Sequence, residues 1–129
     1  MIKNLKELAF GGGIVCYGIN QDRTPAYIKV KMVNVEDSTV LLENGVICLS
    51  TQIEGVSLTP HWLLKFNACL NGNNMDFFYE RFRLIWKEAY KYWYVIDRDT
   101  CAYLTKVEFV HEWQNFIFVM DGKELQITI

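Results

Sequence analysis

Histidine is scarce in this chain, cysteine is scattered, no apolar run is long and neither sign of charge dominates. The two histidines, His61 and His111, lie fifty residues apart. Cys16, Cys48, Cys69 and Cys101 never form a C-x-x-C pair. That spacing argues against a zinc site or a disulfide framework and for four buried free thiols. No stretch approaches the ~20 consecutive apolar residues of a membrane-spanning helix. A formal net charge of -2 and a pI of about 5.7 supply no global attraction to nucleic acid or to an anionic membrane. The opening Met1-Ile-Lys-Asn-Leu-Lys-Glu-Leu is charged and lacks a secretory apolar core, so cytoplasmic placement is expected.

What is present is an ordinary globular composition, 51% apolar and 22% charged, in 129 residues. Such a chain buries a core without staples, and a single compact domain over 1–129 is expected. A β-rich part at 1–58 and a mixed part at 59–129 divide it. Fourteen of the nineteen aromatic residues fall between Phe77 and Phe118. Gly11-Gly-Gly13 marks a break into the first strand. It lacks the Lys-Ser/Thr and following helix of a phosphate-binding loop. Ile14–Ile19 and Tyr27–Val35 read as strands, and Val40–Glu43 with Val46–Leu49 flank Asn44-Gly45, a strong hairpin signal. Ile53–Leu58 reads as one more short strand.

Thr59-Pro60 opens a helix that runs through Trp62, Leu63 and Phe66 toward Leu70, with Asn71-Gly-Asn-Asn74 ending it. Between 76 and 97 two periods compete. Phe78, Phe82, Ile85, Ala89 and Trp93 fit a helical stripe. Phe82, Leu84 and Trp86 also alternate with Arg81, Arg83 and Ile85, as Tyr92, Tyr94 and Ile96 do with Trp93 and Val95. The aromatic and β-branched content favours antiparallel strands, with Glu88-Ala89 as a tight reversal. Thr105-Lys-Val-Glu108 has the pattern of a capping box before a helix with an apolar stripe at Phe109, Trp113, Phe116, Ile117 and Met120. Gly122 stops that helix, and Leu125–Ile129 alternates like a closing strand. The expected class is α+β: a small bent or barrel-like N-terminal sheet, a short helix, an aromatic antiparallel meander, a C-terminal amphipathic helix and a final strand.

Two groups of residues carry candidate chemistry. His111, Gln114 and Asn115 form a polar row on the last helix, placed opposite its apolar stripe. Amides and imidazoles there suit a ligand edge or the backbone of a neighbouring element. Tyr79, Arg81, Arg83 and Tyr92 combine aromatic and guanidinium groups, as a nucleotide site requires. Phe82, Leu84 and Trp86 point away from Arg81 and Arg83, so the basic side reads as a solvated face and nucleic acid is disfavoured. Glu108 and Glu112 share a helix face, but Glu108 belongs to the capping pattern. His61 has Lys65 at i+4 rather than a second ligand. No catalytic constellation, metal site or cofactor site emerges, and no enzyme is expected.

LTPHWLLKF (Leu58–Phe66) is similar to the LTxxWLxKFGF segment of short uncharacterised proteins carried by phages and integrated mobile elements of Bacteroides-type bacteria. VEFVHEWQNFIFVMDGKELQI (Val107–Ile127) resembles their closing YVHxLQNLYFALTGxEL pattern, with Trp113 in place of a leucine and Asp121 in place of a threonine. ELAFGGGIVCYG (Glu7–Gly18) is a weaker echo of their opening ELRIGNxV. The resemblance implies a non-catalytic binding protein, an accessory factor or antagonist of a host protein or defence component. Two alternatives stand beside it. One is a homo-oligomeric sponge that sequesters a nucleotide signal, and the other is a single-stranded nucleic-acid binder.

Overall fold

The computed structural model describes residues 13–19 and 21–125. Their order is β1 Ile14–Ile19, β2 Pro25–Asn34, β3 Thr39–Leu42, β4 Ile47–Leu49, β5 Glu54–Gly55, α1 Pro60–Lys65, β6 Cys69–Asn71, β7 Asn73–Tyr79, β8 Phe82–Lys87, β9 Tyr92–Asp97, β10 Tyr103–Val107 and α2 Val110–Asp121. A 3₁₀ turn at Ser50–Gln52 precedes β5. The chain forms two compact units. One joins the described parts of Met1–Val56 and Phe109–Ile129, and the other is Ser57–Glu108. The C-terminal helix therefore belongs with the N-terminal sheet rather than with residues 59–108. The class is mixed and mostly strand.

In the first unit, five antiparallel strands run in the order β4-β3-β2-β1-β5 and curl into a half-barrel. Bulges between Cys16 and Ile19 and between Val30 and Met32 break the register, and such bulges bend a sheet. The concave side buries Val15, Val30, Val40, Leu42, Cys48 and Ile53. The Asn44-Gly45 hairpin forms as its sequence predicts. Gly45 has φ +88°, and the Asn44 side-chain oxygen accepts the Val46 N–H at 3.0 Å. β5 is shorter than the strand expected over Ile53–Leu58 and spans Glu54–Gly55 alone.

α2 buries Val110, His111, Trp113, Gln114 and Ile117. Two expectations are corrected here. Thr105 lies in β10 and does not cap the helix. The cap is Phe109, whose N–H donates to Glu112 Oε1 at 3.0 Å. The packed face also differs from the expected stripe: it holds Val110, His111 and Gln114 beside Trp113 and Ile117, so His111 and Gln114 lie on it instead of opposite it. Gly122 ends the helix in the left-handed region, its N–H donating to the Phe118 carbonyl at 2.9 Å. The expected lead-in at 3–9, Gly11, Gly12 and the closing strand beyond Leu125 lie outside the described residues.

In the second unit, β10-β9-β8-β7-β6 form a second antiparallel sheet, which settles residues 76–97 as strands. Phe77, Tyr79, Phe82, Leu84, Trp93 and Val95 are buried, as are Leu58, Trp62, Leu63 and Phe66. The Trp93 indole N–H donates to the Leu58 carbonyl at 2.8 Å, tying the middle of the sheet to the start of α1. α1 stops at Lys65, short of the expected Leu70. Asn67 adopts φ +67°, and Leu70 falls in β6. The Asn71–Asn73 turn then links two strands instead of ending a helix. The reversal between β8 and β9 spans residues 88–91, wider than Glu88-Ala89, and Lys91 turns it at φ +58°.

The thiols are only partly buried. Cys48 is buried, and that burial pushes its pKa up. Cys16 is half-buried, while Cys69 on edge strand β6 and Cys101 in the β9–β10 turn are exposed. Edge and turn positions lack the second layer that would cover them. Thiol titration of the native protein should accordingly show Cys69 and Cys101 reacting promptly and Cys48 reacting only on unfolding. A fully inert native protein would contradict these placements. Trp113→Ala should destabilise the fold by about 3–5 kcal/mol in urea denaturation, because a fully buried indole leaves a cavity against the first sheet.

Candidate functional site

The polar row of α2 is used inside the first unit. The Gln114 side-chain oxygen accepts the Ile14 N–H at 3.0 Å, and its amide nitrogen donates to the Leu125 carbonyl at 3.0 Å. Both ends of this buried amide are thus engaged by backbone. His111 is fully buried and stacks on Phe109, with ring centroids 5.6 Å apart and planes 7° from parallel. Gly55 lies against them, and a Cβ there would come within 2.9 Å of the Phe109 ring and 3.1 Å of His111 Cε1. Asn115 is half-buried on the same helix. These residues pack within the first unit.

The other four expected site residues are in the second unit, and its sheet separates them. Tyr79 pairs with Phe82 across a two-residue turn, so it shares the core face and is buried. Arg81 occupies that turn, its guanidinium 4.8 Å from the Phe82 ring centroid. Arg83 grips Asp76 with two bonds, at 2.9 and 2.6 Å, and Asn71 donates to the same carboxylate at 3.2 Å. Arg83 and Tyr92 project to the same outer face, Arg83 opposite Ile96 and Tyr92 opposite Lys87.

That face is built by register. Antiparallel partners directly opposite one another project to the same side. Lys87 faces Tyr92, Ile85 faces Tyr94, Lys106 also faces Tyr94, and Ile96 faces Tyr103. The result is a row of tyrosines across the outer surface. Ring centroids of Tyr90 and Tyr92 are 5.6 Å apart, those of Tyr92 and Tyr94 5.3 Å, and those of Tyr94 and Tyr103 5.2 Å. Neighbouring planes meet at 43°, 55° and 69°, so the rings do not consume each other's faces by stacking. Tyr90 and Tyr103 are 66% and 57% exposed, and Tyr92 and Tyr94 are half-buried.

Lysines cover the rings in a crossed pattern. Lys87 Nζ sits 5.0 Å from the Tyr94 centroid, and Lys106 Nζ 4.9 Å from that of Tyr92. Exposed contacts of this kind are worth about 0.5–1 kcal/mol, too little to hold a lysine against an anionic ligand. The nearby acids are committed elsewhere. Asp76 is held by Arg83, and Glu88 binds the Trp86 indole N–H and Lys91. Lys91, ahead of Trp86, is the main reason the Glu88 carboxyl lies below its ordinary range. A hydrogen bond with Tyr94 and the surrounding phenols pushes Tyr92 up to about 12, so its ring stays neutral at any physiological pH. The sequence pointed to Tyr92. It left Tyr94, Tyr103, Lys87 and Lys106 out of the candidate site.

No family model matches the chain, and neither a curated protein nor a solved structure matches it. Among the described residues no group of three or more His, Cys, Asp or Glu side chains is placed to hold a metal ion, and no helix is long and apolar enough to cross a membrane.

The two arginines expected to act together differ in what they support. Arg83→Glu would set a carboxylate against Asp76 and should cost about 1 kcal/mol in chemical denaturation. Arg81→Glu, at an exposed turn, should stay within about 0.5 kcal/mol of wild type. Equal effects of the two changes would mean that the Arg83–Asp76 pair contributes nothing.

Proposed function

We propose that this chain is a binding protein with no reaction of its own, which holds a macromolecular target on the tyrosine–lysine face of its second sheet. The observation that carries the reading is the asymmetry of that sheet. One face is buried under α1. The other presents Tyr90, Tyr92, Tyr94 and Tyr103 with two lysines poised over them. Tyrosine gives a large rigid contact area with a polar tip at small entropic cost, which is why binding surfaces are rich in it. A phenol that stays protonated to about 12 serves as a contact and a hydrogen-bond donor, not as a general base.

An exposed sheet face also suits an extended target better than a small molecule, since small-ligand sites are concave and enclose most of the ligand. This disfavours the nucleotide sponge. The accessory or antagonist role implied by the resemblance to phage and mobile-element proteins supplies a setting for such a binder, with the target in the bacterial host.

Affinity capture from a lysate of a Bacteroides-type bacterium tests the reading, with retained protein and nucleic acid both identified. The wild-type chain should retain a target that the Tyr92→Ala/Tyr94→Ala variant, still folded by circular dichroism, releases. If the variant retains the same target as strongly, the tyrosine face is not the binding surface.

A further inference from the structure

Resting on that reading, we infer that the target held on this face is single-stranded nucleic acid, with bases stacking on Tyr92, Tyr94 and Tyr103 and phosphates meeting Lys87 and Lys106. Three observations favour it over a protein partner. First, the charge of the face is opposite to that of the chain. The net charge is -2 overall, yet Lys87 and Lys106 lie over rings, and the bordering carboxylates of Asp76 and Glu88 are engaged by Arg83 and by Trp86 with Lys91. A local cationic field is what a phosphate backbone requires.

Second, lysine is depleted in the cores of protein–protein contacts, whereas here two lysines stand within the tyrosine row. Their weak contacts with the rings let a base take the ring face while the freed ammonium moves to a neighbouring phosphate. Third, the rings of Tyr90, Tyr92 and Tyr94 follow one another along β9 and the turn before it, Tyr103 joins them from the adjacent antiparallel β10, and successive centroids are 5.2–5.6 Å apart. A sheet carrying aromatic side chains on neighbouring strands can stack successive unpaired bases, and such stacking tolerates any sequence because every base has a π-face. Duplex hides those faces, so it should bind less well.

The test is fluorescence anisotropy of the full chain with a short labelled oligothymidylate and the matching oligouridylate, across a salt series, beside a duplex of equal length. The expected result is binding of single strands in preference to duplex. Tyr92→Ala/Tyr94→Ala should weaken it about tenfold or more, while Tyr92→Phe/Tyr94→Phe, which keeps the rings, should bind nearly as wild type. Lys87→Ala/Lys106→Ala should weaken it and flatten the dependence of log affinity on log salt by about 0.7 per lysine removed. Three results would overturn the inference: no binding of either oligonucleotide, a Phe variant as weak as the Ala variant, or a salt slope indifferent to the lysines. If the oligonucleotides fail while lysate capture yields a nuclease-resistant protein that the Ala variant releases, nucleic acid is excluded and the binding role of the face stands. If both experiments fail, the face has no binding role.

Discussion

The first unit depends on one buried amide. Gln114 joins the opening N–H of β1, a hundred residues earlier in the chain, to the carbonyl of Leu125. Strand β1 pairs on both sides, with β2 and with β5. An N–H at its start that found no partner would cost about 1–3 kcal/mol of desolvation. The helix that presents Gln114 is seated by Trp113 and Ile117, both fully buried. Close approach at Gly55, beside Phe109 and His111, completes the seat. The buried amide of α2 therefore joins distant parts of the chain.

The second sheet divides its aromatic residues by face. Phe77, Phe82 and Trp93 fill the interior, with Phe77 and Trp93 meeting edge to face at 5.8 Å and 72°. Tyr92, Tyr94 and Tyr103 take the outside, while Tyr79 stays with the interior set. The division follows from chemistry: phenylalanine gains only from burial, while a phenol can keep its hydroxyl wet. Charge is distributed in the same manner. Arginine is spent on a bidentate grip of Asp76, which its planar fork suits. Lysine, a point charge on a flexible stem, lies loosely over rings.

Local signals in the sequence were dependable where backbone chemistry alone decides. Asn44-Gly45, Thr59-Pro60 and Gly122 each mark the turn or helix end that their residue types require. Alternation between 82 and 96 correctly identified strands and set Phe82, Leu84 and Trp86 away from the basic residues; Phe82 and Leu84 are buried there and Trp86 half-buried. The misreadings came from patterns with two physical uses. Thr105-Lys-Val-Glu108 has the spacing of a capping box, yet Thr105 and Val107 also alternate, and pairing with β9 takes them into a strand. By sequence, His111 and Gln114 are placed opposite the apolar stripe with two uses open to them, and Gln114 takes the backbone of a neighbouring element; its partner at Ile14 lies in no window around residue 114. The candidate face was illegible for the same reason. Reading along β8 alone, the basic residues point away from the aromatics of their own strand. Register across three strands brings Tyr92, Tyr94 and Tyr103 to them, and register is set by turn lengths and pairing rather than by local composition.

The two places where the chain passes between units have a further consequence. Within the second unit, the Leu58 N–H donates to the Glu108 carbonyl at 2.9 Å, and within the first, the Val110 N–H donates to the Val56 carbonyl at 2.7 Å. Each unit thus has its two chain crossings side by side. A segment whose ends meet can be lengthened, shortened or exchanged without prying apart the fold that hosts it, the circumstance in which domain insertions are tolerated. Ser57–Glu108 has the form of such a cassette. Its outward face can change in sequence while the pairing of the other unit stays as it is.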